Sequence, residues 1–320
     1  MMDFNGAVAV ITGSGRGLGR DHALMLASRN CRVVVNDLGV RSTGSASDAD
    51  PAAEVVEEIA RQGGEAVADR HDIVTDAEAV IGTALARFGR LDIVINNAGT
   101  LDGGLFAETP ADVWQRVFDV HLLGTVAMCR AAWPHLARSP SGRIVNTSSS
   151  AMFGGPQLTN YGSAKAAIFG LTKSLALEGA ADGIGVNAIM PSAWTRMTAR
   201  IEDAEILRVL QEHFQSARVS PFVAWLAHPD TKVSGEMFRI SGGRAARVVA
   251  AADQSIAAAD DSPEAWAAQA DLLSAKGNLV ELESTMACFA SELVEADPNL
   301  DLSATVARGG VIHDEHEPSH

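Results

Sequence analysis

Residues 6–37 read GAVAVITGSGRGLGRDHALMLASRNCRVVVND. An apolar run, Ala7 to Ile11, enters a turn with glycine at positions 13, 17 and 19, a helix-compatible stretch follows, and a second β-branched run ends at Asp37. Strand, glycine turn, helix and strand in that order predict the first unit of an open parallel sheet. Gly13 suits the tight turn, Gly17 lets the backbone approach a pyrophosphate, and Gly19 permits close helix–strand packing. The helix N-terminus attracts the anion. Arg16 and Leu18 lie in the same turn. Asp37, eighteen residues beyond Gly19, stands where a carboxylate accepts hydrogen bonds from an adenosine ribose.

The alternation continues downstream. LGVRSTGSASDADP, starting at Leu38, is a polar, turn-rich loop, and Asp50 and Pro51 suit the cap and first position of a helix with Ala52, Val55, Val56 and Ile59 on its apolar side. Strand EAVAD then leads to His71, Asp72 and Ile73, helix DAEAVIGTALARFG follows, and the strand Leu91 to Ile95 ends in Asn96-Asn97-Ala98-Gly99. Such alternation implies an α/β fold, a parallel sheet covered by helices on both faces with ligand at the strand C-termini.

The chemistry gathers in SSSAMFGGPQLTNYGSAK, Ser148 to Lys165, after the apolar strand GRIVNT. Tyr161 and Lys165 are four residues apart, so on a helix they share one face. A phenol titrates near ~10, and acid–base work at neutral pH requires a nearby cation, which Lys165 can supply. Ser148, at the strand end, can reach the same point from the side. Tyr161 is the single tyrosine among 320 residues, so this chain does not use tyrosine as packing material.

Serine, thirteen residues on to tyrosine and four on to lysine resembles the short-chain dehydrogenase/reductase family, as do the NNAG run at Asn96–Gly99 and the glycine turn. The resemblance implies a Rossmann-type, doubly wound, seven-stranded parallel sheet, with EMFRISGG as the last strand. It also implies a nicotinamide dinucleotide held by Gly13, Arg16, Gly17, Leu18, Gly19, Asp37, Asp72, Ile73, Asn97, Ala98, Gly99, Tyr161, Lys165 and Pro191. In such an enzyme Tyr161 moves the proton, Ser148 orients the reacting oxygen, and Lys165 lowers the phenol pKa and holds the nicotinamide ribose. His121, in WQRVFDVHLLGTV, stands where most members have an asparagine that holds a relay water. A relay role and a packed helix histidine are both open for it. Asp37 repels a 2′-phosphate and favours NAD, with Arg16 as a counter-signal.

Several stretches resemble more narrowly the (3R)-hydroxyacyl-CoA dehydrogenase unit of the peroxisomal multifunctional enzymes and their bacterial relatives. They are NDLG at Asn36–Gly39, VVEEI at Val55–Ile59, VHLLGT around His121, AAWPHL at Ala131–Leu136 and TRMT at Thr195–Thr198. That likeness implies oxidation of a (3R)-3-hydroxyacyl-CoA, with a bulky or steroidal acyl group as one form of it. A 17β-hydroxysteroid dehydrogenase, a ketoacyl carrier-protein reductase and a non-catalytic NAD-binding protein are the alternatives. Leu207, Leu210 and Phe214, at helical spacing, fall where the family has a substrate lid. Arg196, Arg200 and Arg208 near that lid, or Arg244 and Arg247 after the last strand, can meet the phosphates of CoA. The family also implies a homodimer or homotetramer.

A formal charge of −15 argues against nucleic acid or an anionic membrane as the main partner. No apolar run reaches the ~18 residues that span a bilayer, and the three cysteines show no metal or disulfide spacing, which together suit the cytoplasm. No metal is expected; His313, His316 and His320 read as part of a charged, flexible tail. The organisation expected is a catalytic domain over 1–243, a helix-favouring, alanine-rich extension over 244–300 with Ser262 and Pro263 opening a helix, and a tail over 301–320.

Overall fold

The structure is a computed structural model. It describes residues 2–40, 50–194, 203–253, 255–274, 277–285, 287, 288, 292 and 293. The chain divides into two compact units, Met1–Val248 and Val249–His320.

The first unit is built on strands β1 (Val8–Thr12), β2 (Arg32–Asn36), β3 (Ala66–Asp69), β4 (Ile93–Asn96), β5 (Arg143–Thr147), β6 (Gly185–Ser192), β7 (Met237–Ser241) and β8 (Arg244–Val248). Among the described residues they form one sheet in the order β3-β2-β1-β4-β5-β6-β7-β8. The first seven run parallel, and the order reverses beside β1, leaving a crevice between the C-terminal ends of β1 and β4. Helices α1 (Gly17–Ala27), α2 (Pro51–Arg61), α3 (Ala77–Phe88), α4 (Ala111–Phe118), α5 (Gly124–Leu136), α6 (Thr159–Gly179), α7 (Ala204–His213) and α8 (Ser220–Ala227) connect them.

The strands are apolar on both sides because both are covered. In β1, Ala9 and Ile11 join a core with Leu26 of α1, Val55 and Ile59 of α2 and Val223 of α8. Val8 and Val10, alternating with them, join a second core with Val80 and Ile81 of α3 and Met128 and Leu136 of α5.

At Gly243 the structure departs from the expected seven strands and from the boundary placed there. Gly242 and Gly243 have φ of +53° and +79°, a left-handed pair that turns the chain back, and β8 pairs antiparallel with β7. Ladder hydrogen bonds and the apolar flank of β7 override the helix-favouring alanine and arginine of RAARV. The second unit contains short helices α9 (Pro263–Ala267) and α10 (Ala270–Ser274), and β9 (Ala251–Ala252) pairs antiparallel with β10 (Val280–Glu281). Ser262 caps α9, its hydroxyl accepting from Ala265 N–H at 3.1 Å. The C-terminal histidines lie outside the described residues.

At the opposite, N-terminal end of the sheet, Asp92 is a buried carboxylate held by several donors. It accepts from Val8 N–H at 2.9 Å, from Arg90 at 2.8 and 2.6 Å, and from the Ser139 hydroxyl at 2.6 Å. Asp92→Ala strands the Val8 amide and should cost about 1–3 kcal/mol. Urea unfolding is expected to show a lower midpoint with an unchanged slope; an unmoved midpoint would contradict this role.

Candidate active site

The glycine turn is shaped by what it must fit between. A Cβ on Gly13, whose φ is +62°, would lie 2.7 Å from Ala98 Cα, and one on Gly19 would lie 2.4 Å from Asn97 Nδ2 and from Gly13 O. Thr12 closes the junction. Its hydroxyl oxygen accepts from Asn97 N–H and Ala98 N–H, both at 3.0 Å, and Asn97 Nδ2 donates to the carbonyls of Thr12 at 2.9 Å and Gly13 at 3.0 Å. Gly17, by contrast, has φ +55° and nothing within 4 Å of where its Cβ would stand. The backbone opening α1 therefore presents an uncovered concave surface, the cradle that a pyrophosphate requires. Arg16 is the N-cap residue of α1, without a side-chain cap bond, and Leu18 packs against the core.

Asp37, just after β2, borders this cradle. One carboxylate oxygen accepts from Gly15 N–H and the other from Gly39 N–H, each at 2.9 Å. Asp72 accepts from Val74 N–H at 2.8 Å, and Ile73 is buried with its Cδ1 2.9 Å from where a Gly124 Cβ would stand. Pro191 sits near the C-terminal end of β6, paired with Ile240. These residues fit a dinucleotide along the strand C-termini.

Tyr161 and Lys165 lie in the first two turns of α6. Lys165 is buried, its Nζ donates to Thr147 O at 2.6 Å, and it stands 5.8 Å from the centroid of the Tyr161 ring. Loss of hydration pulls the Lys165 pKa down to about 7. Burial pushes the Tyr161 phenol up, opposed by a hydrogen bond from the Ser149 hydroxyl. The phenol thus lies above its ordinary value rather than below it, a correction to the sequence expectation. Desolvation acts on both groups of the pair and outweighs the proximity of the lysine.

The serine also needs correcting. Ser148 is not the hydroxyl that meets Tyr161: it donates to the backbone carbonyl of Lys165 at 2.7 Å, while Ser149, one residue on, bonds the phenol side chain. The reason is strand alternation. Ser148 N–H still bonds Ile189 O at 2.7 Å as β5 runs out, so its side chain turns to the α6 backbone at Lys165, and that of Ser149, in extended backbone (φ −158°, ψ 154°), turns the other way, to the Tyr161 side chain. Counting back from the tyrosine selects Ser148; counting alternate faces from β5 selects Ser149.

His121 sits in a π-helical turn, Asp119–Leu123, where Gly124 N–H bonds Asp119 O five residues back. The wider turn brings the imidazole edge-on to Tyr161, 5.1 Å between centroids and 82° between planes. Nε2 lies 2.6 Å from Thr100 O and 3.1 Å from Thr100 N, so the Thr100 backbone anchors this end of the ring, while Nδ1 is buried without a hydrogen-bond partner. Burial first and the Lys165 charge second hold its pKa well below the usual value, against the pull of the Thr100 carbonyl. A Cβ on Gly99 would meet His121 Cε1 at 2.6 Å, so glycine ends the NNAG run because the imidazole occupies that space.

Of the arginines expected near a substrate, Arg208 pairs with Glu212 at 2.8 Å and Arg247 with Glu236 at 3.4 Å, and Arg244 is exposed on β8. Arg196, Arg200 and the whole TRMT run, Thr195–Thr198, lie outside the described residues. The flanks of that segment meet, with Trp194 N–H bonding Phe214 O at 2.6 Å. Leu207 and Leu210 are half-buried on α7. Among the described residues no group of three or more His, Cys, Asp and Glu could hold a metal, and no helix is long and apolar enough to cross a membrane.

Comparison with known proteins agrees with this geometry. Residues 7–206 match the short chain dehydrogenase family. The chain is 42% identical over 243 residues to the peroxisomal hydratase-dehydrogenase-epimerase of Saccharomyces cerevisiae, with 76% of this chain and 27% of that protein covered. It is 43% identical over 244 residues to a short-chain type dehydrogenase/reductase of Mycobacterium tuberculosis, covering 75% of this chain and 84% of that one. Full-length peroxisomal multifunctional enzyme type 2 from Drosophila melanogaster superposes with a TM-score of 0.76 at 28% identity, over 92% of this chain and 50% of that one. The chain thus spans about a quarter to a half of the multifunctional proteins it matches. With the crevice, the glycine cradle and the tyrosine–lysine helix in place, the chain belongs to the short-chain dehydrogenase family and is an oxidoreductase that uses a nicotinamide cofactor.

Proposed function

We propose that this protein oxidises a (3R)-3-hydroxyacyl-CoA to the 3-ketoacyl-CoA with NAD, Tyr161 serving as the general base. The observation that carries the reading is the phenol of Tyr161 set between the Ser149 hydroxyl and Lys165 at the C-terminal edge of the sheet, beside the glycine cradle. Likeness to a hydratase-dehydrogenase-epimerase supports the substrate class.

Gly13, Gly17, Gly19, Asp37, Asp72, Ile73, Asn97, Ala98, Gly99 and Pro191 would hold the dinucleotide, which supplies the hydride acceptor. Ser149 donates to the substrate oxygen and orients it, and Tyr161 takes the hydroxyl proton. Lys165 stabilises the phenolate. His121, held neutral, packs edge-on to the phenol and puts no second positive charge beside Lys165. The carboxylate of Asp37, already facing the turn through Gly15 N–H, favours a ribose hydroxyl over a phosphate. A homo-oligomer belongs to this reading, because Leu123 and Leu177 leave the helices after β4 and β5 with exposed apolar side chains; a monomer in sedimentation would contradict it.

Reduction of NAD should be observed with a (3R)-hydroxyacyl-CoA and not with its (3S) epimer, and Tyr161→Phe should lower kcat by roughly 10²–10⁴-fold. Turnover of a free 17β-hydroxysteroid but of no CoA ester would replace this reading with the hydroxysteroid one. Asp37→Ser is expected to raise the KM for NAD and admit NADP; tighter use of NADP by the unaltered protein would overturn the cofactor assignment.

The pH dependence follows from the pair. Oxidation needs the phenolate, and removing one proton from tyrosine plus lysine permits the working form, phenolate with ammonium. Activity should therefore rise with pH through about 7, where Lys165 is drawn. In Lys165→Met the phenol stands alone and the rise should move up to the phenol's own, higher range. A pH–rate profile of kcat/KM that is the same in both proteins would contradict this.

A further inference from the structure

Three consecutive serines follow β5, and the reaction described above uses the second. The first, Ser148, is 1% exposed, and its hydroxyl is spent on the carbonyl of Lys165 at 2.7 Å. That carbonyl belongs to the seventh residue of a 21-residue helix, inside the run where helical amides already bond carbonyls four residues back. The Ser148 bond is thus an additional one, joining the end of β5 to the helix at the residue that holds the site's cation.

Two neighbouring contacts fall on the same stretch of α6. Thr147 O receives the Lys165 ammonium at 2.6 Å. A Cβ on Gly162 would lie 2.6 Å from Ala151 O, so the helix backbone and the chain after β5 touch with no side chain between them. Residues 147, 148 and 151 therefore seat the helix at 162 and 165, one turn apart, and carry Ser149 between those points beside Tyr161. The bond that ties the helix at Lys165 is thus made by the residue next to Ser149, on the same short piece of chain.

We infer that Ser148 is a positioning residue, which through the Lys165 carbonyl holds the tyrosine–lysine helix on the end of β5 and sets the spacing of Ser149, Tyr161 and Lys165. The inference rests on the reading that Tyr161 is the base, but its test does not require turnover. Tyr161 is the only tyrosine in the chain, so the ultraviolet absorbance of tyrosinate titrates this one group in the intact protein. Loosening the helix draws the Ser149 hydroxyl away from the phenol, removes the bond that opposes its rise, and so raises the midpoint of that titration.

Ser148→Ala, Ser148→Thr and the native protein are to be titrated in parallel, with thermal unfolding recorded for each. In Ser148→Ala the tyrosinate midpoint is expected to rise by a few tenths of a pH unit. Turnover should fall roughly ten- to hundredfold, with the KM for NAD within about twofold of native. Ser148→Thr, which keeps the hydroxyl, is expected to restore both. Should Ser148→Ala not fold, Ser148→Cys, of similar volume and a weak donor, takes its place with the same expectation. A tyrosinate midpoint and kcat equal to native in the folded alanine or cysteine variant would overturn the inference, as would threonine and alanine variants equally impaired. Native protein that turns over no hydroxyacyl-CoA, yet shows the midpoint shift, would sink the functional reading and leave the positioning role standing.

Discussion

Everything on the ligand side of the sheet depends on how β1 and β4 part company. They are neighbours at the point where strand order reverses, and their loops must leave in different directions without opening a hole. The Thr12 hydroxyl and the Asn97 amide close that gap with four hydrogen bonds across the two loops. The close approach of Gly13 to Ala98 follows from it, and leaves no room for a side chain at position 13. Once that seam is shut, the turn can arch over the start of α1 with Gly17 uncovered, and Gly99 is brought against His121. The glycine cradle and the pocket around His121 are therefore two sides of one junction.

Beside the junction, the protein stores a conflict between burial and charge. Lys165 is buried with one carbonyl for company, His121 is kept neutral, and the Tyr161 phenol is pushed up by the same loss of water. None of these groups is at ease ionised, so a partner that brings polar groups into the crevice has most effect where the proton must move. The π-helical turn is part of this arrangement, since it sets the imidazole against the phenol ring edge instead of turning it along the helix.

Much of this was legible in the residues. Buried strands announce themselves as β-branched runs because both faces are covered, and Gly13 and Gly19 of the glycine turn are required by contacts that leave no Cβ space, Gly17 by its positive φ. Asp37 and the tyrosine–lysine spacing were readable for the same reason, since each is set by local geometry. What escaped was decided by partners distant in sequence. RAARV reads as helix and becomes β8 because β7 offers an open edge. DVHLL reads as ordinary helix and widens by a residue. Ser148 and Ser149 cannot be told apart by spacing to the tyrosine; the alternation of β5, carried one residue further by the bond to Ile189, separates them.

The central claim is that hydride leaves the carbinol carbon of a hydroxyacyl-CoA as Tyr161 takes the neighbouring hydroxyl proton. A (3R)-hydroxyacyl-CoA bearing deuterium on that carbon, incubated with NAD and followed by nuclear magnetic resonance of the recovered cofactor, tests it most directly. The account predicts deuterium on the reduced nicotinamide ring with the native protein and far less, over the same time, with Tyr161→Phe. Recovery of unlabelled cofactor from a native protein that consumes the substrate, or equal labelling by the phenylalanine variant, would contradict it.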